Sequence, residues 1–312
     1  MIRSYLQLLR APLAATAVSN AWVGGALAGG EAPLGAWALV GLASVALYWA
    51  GMVLNDVFDR ERDAHLFPKR PLPSGRISVA AAATLGAGLL LGGVGLAAGA
   101  GALAGRPLWG LGAGAAVALA ILGYDGLLKR WRHPGALVMG SCRALNAGLG
   151  VVVLGGDLGS PLGWGYAAFL GLYVYALTVF STWEDEDAPR LSLITNGGLL
   201  LALPVAAGAW CMHAGGSEPP RSVGVFGCAL LLVVVWSQLV ELFVHGTKAK
   251  GQATTRNLLH ALWAVDLGAA LLGAPWLLLV PCGVLYVGSR AAIKALFRPP
   301  PAPAPAPVSD SD

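Results

Sequence analysis

The chain has 312 residues, of which 56% are hydrophobic and 12% charged, with a mean hydropathy of +0.68. Soluble domains carry about a quarter charged residues, so this composition excludes an ordinary soluble domain and points to an integral membrane protein. The formal net charge of +4 lies in short loops between apolar runs, where membrane orientation accounts for it, and does not suggest a nucleic acid partner.

Apolar runs of crossing length, roughly 17–25 residues each, fall near 12–30, 35–57, 77–104, 107–124, 134–155, 162–183, 191–213, 222–244, 256–273 and 275–292. Only Gly273–Pro275 separates the last two, so they are either two crossings or one broken crossing with a surface helix. The N-terminal run follows Arg3 and Arg10 and reads as a first span rather than a signal peptide, because further spans follow. The 44 glycines suit helices that approach closely in lipid. Cys142, Cys211, Cys228 and Cys282 lie in or beside apolar runs without a C-x-x-C pair, so they are expected to act as small buried apolar side chains.

Basic residues set the orientation. Fourteen of the 20 Lys and Arg fall before the first run or in every second loop, and that side is expected to be cytoplasmic. The alternate loops hold only Arg106 and Arg221. Arg290, Lys294 and Arg298 favour a cytoplasmic C-terminal end and an even number of crossings. Residues 1–298 form the predicted membrane domain, and the Pro/Ala-rich stretch 299–312 is expected to be extended and disordered.

The second run ends in "NDVFDRERD" (Asn55–Asp63), a dense charge cluster at the edge of a bilayer. Asn55, Asp59 and Asp63 are four apart, and each such step turns about 40° on a helix, so they share one face with Asp56 beside them. This ridge of hard oxygen donors suits Mg²⁺, which is commonly shared with substrate phosphates. A solvated helix end with local Arg–Asp pairs is the competing reading. The following loop, "HLFPKRPLPSGRIS" (His65–Ser78), carries Lys69, Arg70 and Arg76 among three prolines, and its cations suit the phosphate oxygens of a metal-bound diphosphate. Orientation alone explains such charges but not the Pro-x-Pro-Ser-Gly order.

"NDVFDRERD…KRPLPSG" resembles the first aspartate-rich motif, N-D-x-x-D-x-x-x-D, and basic loop of the UbiA superfamily of intramembrane prenyltransferases. The likeness runs from "LLRAP" (Leu8–Pro12) through the last spans. It implies an all-α polytopic fold of about nine, or ten, transmembrane helices around a central cavity. It also implies Mg²⁺-dependent transfer of a prenyl group from a prenyl diphosphate to a hydrophobic or aromatic acceptor among membrane lipids. On that resemblance Asn55, Asp56, Asp59 and Asp63 are metal and diphosphate ligands, with Lys69 and Arg70 as diphosphate contacts.

"YDGLLKRW" (Tyr124–Trp131) resembles the superfamily's tyrosine-to-lysine motif, with Tyr124 facing the cavity and Lys129 on the diphosphate; an interfacial Tyr and Trp beside positive-inside charges explain it equally well. "MGSCRALN" (Met139–Asn146) places Arg143 and Asn146 about a turn apart deep in a span, where a cation is expensive unless paired or facing water. The expected partner of Arg143 is Asp266 or the diphosphate. "STWEDEDAPR" (Ser181–Arg190) stands where the superfamily has its second aspartate-rich motif, but its acids are compressed into Glu184–Asp187 and no two are four apart. Glu184 and Asp187 are the expected metal ligands there, and one of them the acceptor of the displaced proton. The departure leaves open a binding or export component that holds an isoprenoid without turnover. With "MGSCRALN" and "YDGLLKRW", it resembles a UbiA-like subgroup labelled EboC, found in bacterial clusters linked to secondary-metabolite handling and export, and the expected location is a bacterial plasma membrane.

Overall fold

The structure is a computed structural model that describes residues 1–181, 190–214 and 220–245, together with 254–255, 257–259, 261–262, 266, 283–284, 287–289 and 291–292. The expected spans 256–273 and 275–292 and the tail 299–312 therefore lie wholly or largely outside the described residues. Among the described residues every regular element is helical: α1 (Ile2–Leu8), α2 (Ala15–Leu27), α3 (Leu34–Phe58), α4 (Arg60–Leu66), α5 (Val79–Leu103), α6 (Pro107–Gly123), α7 (Arg132–Leu154), α8 (Pro161–Ser181), α9 (Arg190–Ala214) and α10 (Pro220–His245). A 3₁₀ turn (Ala11–Ala14) enters α2, and a π-turn (Tyr124–Leu128) extends α6.

Among the described residues five helices are long and apolar enough to cross a bilayer: Leu34–Phe58, Val79–Leu103, Pro107–Leu128, Arg132–Leu154 and Pro161–Ser181. The chain is an all-helical integral membrane protein; the total of nine or ten crossings rests partly on residues outside the described set. The first predicted span is shorter than expected. Its helix α2 has 13 residues, about 20 Å by helical rise, against a hydrocarbon core of about 30 Å. Local signals explain several boundaries. Gly29 and Gly30 follow α2 with φ of 96° and 50°, a turn that costs glycine little. Ser78 accepts a hydrogen bond from the Ala81 amide at 3.2 Å and caps α5, while Pro107 opens α6.

Helix α2 packs against α7 with little intervening side chain. A Cβ on Gly150 would collide with the Ala21 carbonyl oxygen, and one on Gly24 would lie 2.5 Å from that of Ala147. Glycine at these points lets the backbones meet, which fixes the polar residues of α2 opposite those of α7. A core around Tyr173, Leu170 and Phe180 joins α8 to α9 and α10, and Tyr173 donates to the Leu258 carbonyl at 3.0 Å. At the charged end, Leu8, Val53, Leu72 and Ile77 bury together and pin α1 and the proline loop onto the end of α3. At the opposite end Arg106 donates to the carbonyls of Gly155 at 2.5 Å and Val152 at 3.3 Å. One of the two cations in the alternate loops is thus engaged by the carbonyl-rich end of α7, where helix geometry favours a cation.

Candidate functional site

A cavity of 390 Å³ opens between α2, α3, α6, α7 and α8, with Thr255, Leu259 and Leu262 adding to its wall. This volume is within the usual range for small-molecule sites. Its body is mostly aliphatic, as befits an apolar guest. Polar groups gather in two places: at the end shared by α3, the π-turn and Arg10, and deeper, around Arg143.

The first, lined by Arg10, Asn55, Tyr124 and Asp125, is continued behind the wall by ion pairs of which Arg10 alone reaches the cavity. Asp56 Oδ1 lies 3.5 Å from Arg10 Nη2, Asp59 Oδ1 lies 2.7 Å from Lys129 Nζ, and Asp63 Oδ2 lies 2.5 Å from Arg70 Nη1. Three consecutive motif carboxylates therefore meet cations from three other segments: the turn before α2, the π-turn's exit and the proline loop. Helix α3 stops at Phe58, and Asp59, at φ −89° and ψ 4°, links it to α4. The amide of Asp59 still donates to Asn55 and that of Asp63 to Asp59, at 2.9 and 2.8 Å, so the four-residue spacing survives the break. The side chains nevertheless take separate partners instead of converging, and among the described residues no three Asp, Glu, His or Cys side chains are gathered as a metal site. The donor set, hard oxygens from Asn55, Asp56 and Asp59 with Asp125 adjoining, does fit Mg²⁺ by chemistry. A shared ion requires these carboxylates to turn from their cations.

Asp125 and Arg10 are functional candidates that the sequence reading passed over. Asp125 is 4% exposed, lines the cavity and accepts a hydrogen bond from Asn55 Nδ2 at 2.9 Å. The carboxylate takes the amino end of the Asn55 amide and so leaves its carbonyl oxygen as the available donor atom. The signal was a carboxylate one position past an apolar run, in the quoted "YDGLLKRW". Arg10 sits at φ 46°, a left-handed conformation uncommon outside glycine, and lines the cavity while facing Asp56. Its sequence signal was only an Arg before Ala-Pro.

The remaining predicted residues divide in position. Asn55, Tyr124, Arg143 and Asn146 line the cavity. Arg70 lies 4.1 Å over the Phe67 ring and holds Asp63, while Lys69 is exposed and its carbonyl accepts from Arg76 at 2.7 Å. Glu184 and Asp187 lie outside the described residues. Asn146 donates to the Ala17 carbonyl at 2.8 Å and so joins α7 to α2. Arg143 does not pair directly with Asp266. Its Nη1 donates to Thr16 Oγ1 and Asn20 Oδ1, each at 3.1 Å, and Asn20 in turn donates to Asp266 Oδ1 at 2.7 Å.

An all-helical membrane bundle whose apolar cavity ends in interleaved acids and bases defines a class of intramembrane protein suited to a guest with an apolar body and a charged head. The profile of the UbiA prenyltransferase family matches residues 17–239, and the chain belongs to that family. It is 31% identical over 245 residues to a digeranylgeranylglyceryl phosphate synthase of Halobacterium salinarum, covering 74% of this chain and 83% of that protein. A protein of the same name from Natronomonas pharaonis is 28% identical over 239 residues, covering 75% and 83%. In three dimensions the chain is similar to a UbiA homolog from Archaeoglobus fulgidus bound to GPP and Mg²⁺, with a TM-score of 0.64 at 18% identity over 94% of this chain and 99% of that one.

Proposed function

We propose that this protein transfers a prenyl group from a prenyl diphosphate to a small aromatic or lipid-like acceptor inside the membrane, in a Mg²⁺-dependent reaction. The observation that carries the reading is the band of ion pairs that meets one end of a mostly aliphatic 390 Å³ cavity through Arg10, with Asp125 and Asn55 beside it on the wall. A prenyl diphosphate has the matching shape: a long apolar chain and a compact anionic head. The ligands named for relatives support the same chemistry, GPP and Mg²⁺ for the A. fulgidus homolog.

In this reading Asn55, Asp56, Asp59 and Asp63 hold the metal, with Glu184 and Asp187 completing the set. Bound Mg²⁺ would supply charge neutralisation of the departing diphosphate. Lys129, Lys69 and Arg70, released from or lying beside the acids, bind phosphate oxygens, and charge-assisted hydrogen bonds of this kind are about twice as strong as neutral ones. Tyr124, Arg143 and Asn146 face the substrate from the wall. The aliphatic lining supplied by Leu47, Ile121, Val174 and Leu177 excludes water from the allylic carbon as its bond to oxygen lengthens. Glu184 or Asp187 accepts the proton that the acceptor loses. The charged end faces the cytoplasm, a placement supported by the excess of Lys and Arg in that set of loops. The bacterial plasma membrane is proposed from the EboC resemblance.

The test incubates purified protein in nanodiscs with Mg²⁺, isotopically labelled geranyl, farnesyl or geranylgeranyl diphosphate, and lipid extract from the source cells, followed by mass spectrometry. A prenylated product that requires Mg²⁺ is expected. Mg²⁺-dependent binding without any product across the panel would replace transfer with a binding role.

A further inference from the structure

Asp266 has no part in the reaction proposed above, yet it is 0% exposed and accepts three side-chain hydrogen bonds. Its Oδ1 accepts from Tyr166 at 2.5 Å and from Asn20 at 2.7 Å, and its Oδ2 accepts from Ser19. These donors come from α2 and α8, so the group ties the C-terminal part of the chain to the first membrane helix. A carboxylate in a membrane interior is expensive and marks a function or a countercharge. The nearest counterpart is Arg143, reached through a single side chain. The Asn20 amide gives its amino group to Asp266 and its carbonyl to Arg143 at 3.1 Å.

That order follows from donor chemistry. A carboxylate accepts and a guanidinium only donates. An amide between them has one satisfactory orientation, amino end to Asp266 and oxygen to Arg143. The spacer also decides where the cation stands. Contact with Asp266 itself would draw Arg143 off the cavity surface into the seam between α2 and α8. With Asn20 interposed, Arg143 stays on the cavity wall, bound to Thr16 and 5.4 Å from the Tyr48 ring. Arg143 lies eleven residues into α7, about 16 Å along the axis from Arg132, so this fixed charge belongs to the deep part of the cavity.

We propose that Asp266 is a positioning residue: through the Asn20 amide it holds the Arg143 guanidinium on the deep wall of the cavity. It thereby sets both the place and the net charge of the deep polar group that a guest in the cavity meets. The inference rests on the cavity being the reaction chamber, but its test does not require turnover. Cys142, next to Arg143, also lines the cavity. In full-length protein in nanodiscs, with Cys211→Ser, Cys228→Ser and Cys282→Ser, Cys142 is labelled by anionic and by cationic methanethiosulfonates, and the ratio of the two rates is measured.

Asp266→Asn is expected to raise the anionic-to-cationic ratio about tenfold, because Arg143 loses its hold and its countercharge. Asn20→Leu, which removes the spacer and keeps the carboxylate, is expected to lower the ratio, because Arg143 is then drawn toward Asp266 and off the cavity wall. The exchange Asn20→Asp with Asp266→Asn should return it to within about twofold of the parent, since a carboxylate then meets Arg143 directly. In an Arg143→Gln background the Asp266→Asn effect should vanish, as two residues acting as one unit require. An unchanged ratio in folded Asp266→Asn overturns the proposal, and so does an effect of undiminished size in Arg143→Gln. If Asp266→Asn does not fold, an unchanged ratio in Asn20→Leu overturns it equally. A purely structural Asp266 would lower the melting temperature and leave the ratio in place.

Discussion

Asp59→Asn removes one negative charge from the acidic motif at almost constant volume. In the structure its Oδ1 is 2.7 Å from Lys129 Nζ, and the two side chains are 20% and 19% exposed. Exposed ion pairs contribute at most about 1 kcal/mol, while breaking a fully buried one costs roughly 3–5 kcal/mol. A pair four-fifths buried falls between, at about 2 kcal/mol, which corresponds to roughly a 30-fold change in affinity if the same carboxylate holds Mg²⁺ against the substrate diphosphate. Glu61 is the internal control. It lies two residues away, its side chain is 85% exposed, and its 3.0 Å contact with Arg60 is at the surface. Isothermal titration of geranyl diphosphate in the presence of Mg²⁺ should therefore give a roughly 30-fold weaker Kd for Asp59→Asn and a change within about twofold for Glu61→Gln. The sign is diagnostic. If Asp59 only repelled the phosphate, its removal would tighten binding. Equal or tighter binding by Asp59→Asn in Mg²⁺ would refute the metal-ligand reasoning.

Asp125→Ala deprives the Asn55 amide of its acceptor and should weaken Mg²⁺-dependent diphosphate binding about tenfold, the size expected for a hydrogen bond to a charged group, as read by the same titration. Gly150→Ala forces a methyl group against the Ala21 carbonyl and should destabilise the protein by about 1–3 kcal/mol, whereas Gly88→Ala, with nothing within 4 Å of the added carbon, should fall within about 0.5 kcal/mol; thermal unfolding in detergent compares the two. With the cytoplasmic assignment, a cysteine introduced by Glu61→Cys should react with an impermeant maleimide only in inside-out vesicles, and one introduced by Asp157→Cys only in right-side-out vesicles.

The physics of lipid made much of this protein legible in its residues. A bilayer satisfies no backbone hydrogen bond, so apolar runs of crossing length must be helices, and those from 34 to 181 appear within a few residues of the predicted limits. Charge is costly there, so each dense cluster of it stood out, and the oxygen and basic groups of "NDVFDRERD" and its loop were visible as chemistry before any fold was known. Arg143 was recognisable as a residue needing a partner for the same reason.

Tertiary structure decided the partners, because a span records depth and periodicity but not which helix lies opposite. It turned Asp56, Asp59 and Asp63 toward Arg10, Lys129 and Arg70, residues 46, 70 and 7 positions away in the chain. It brought Asp125 to Asn55 across 70 residues, and it placed Asn20 between Arg143 and Asp266. These pairings depend on backbones meeting at Gly24 and Gly150, on a break at Asp59 and on a left-handed turn at Arg10. The first is close packing between segments remote in sequence, and the other two are local turns that only the packed fold holds in place. The sequence by itself therefore determined an all-helical membrane bundle and the kind of chemistry at its charged edge. Only the fold determined which charges answer one another, since ion pairs and hydrogen bonds are fixed by distances of about 3 Å that no one-dimensional spacing contains.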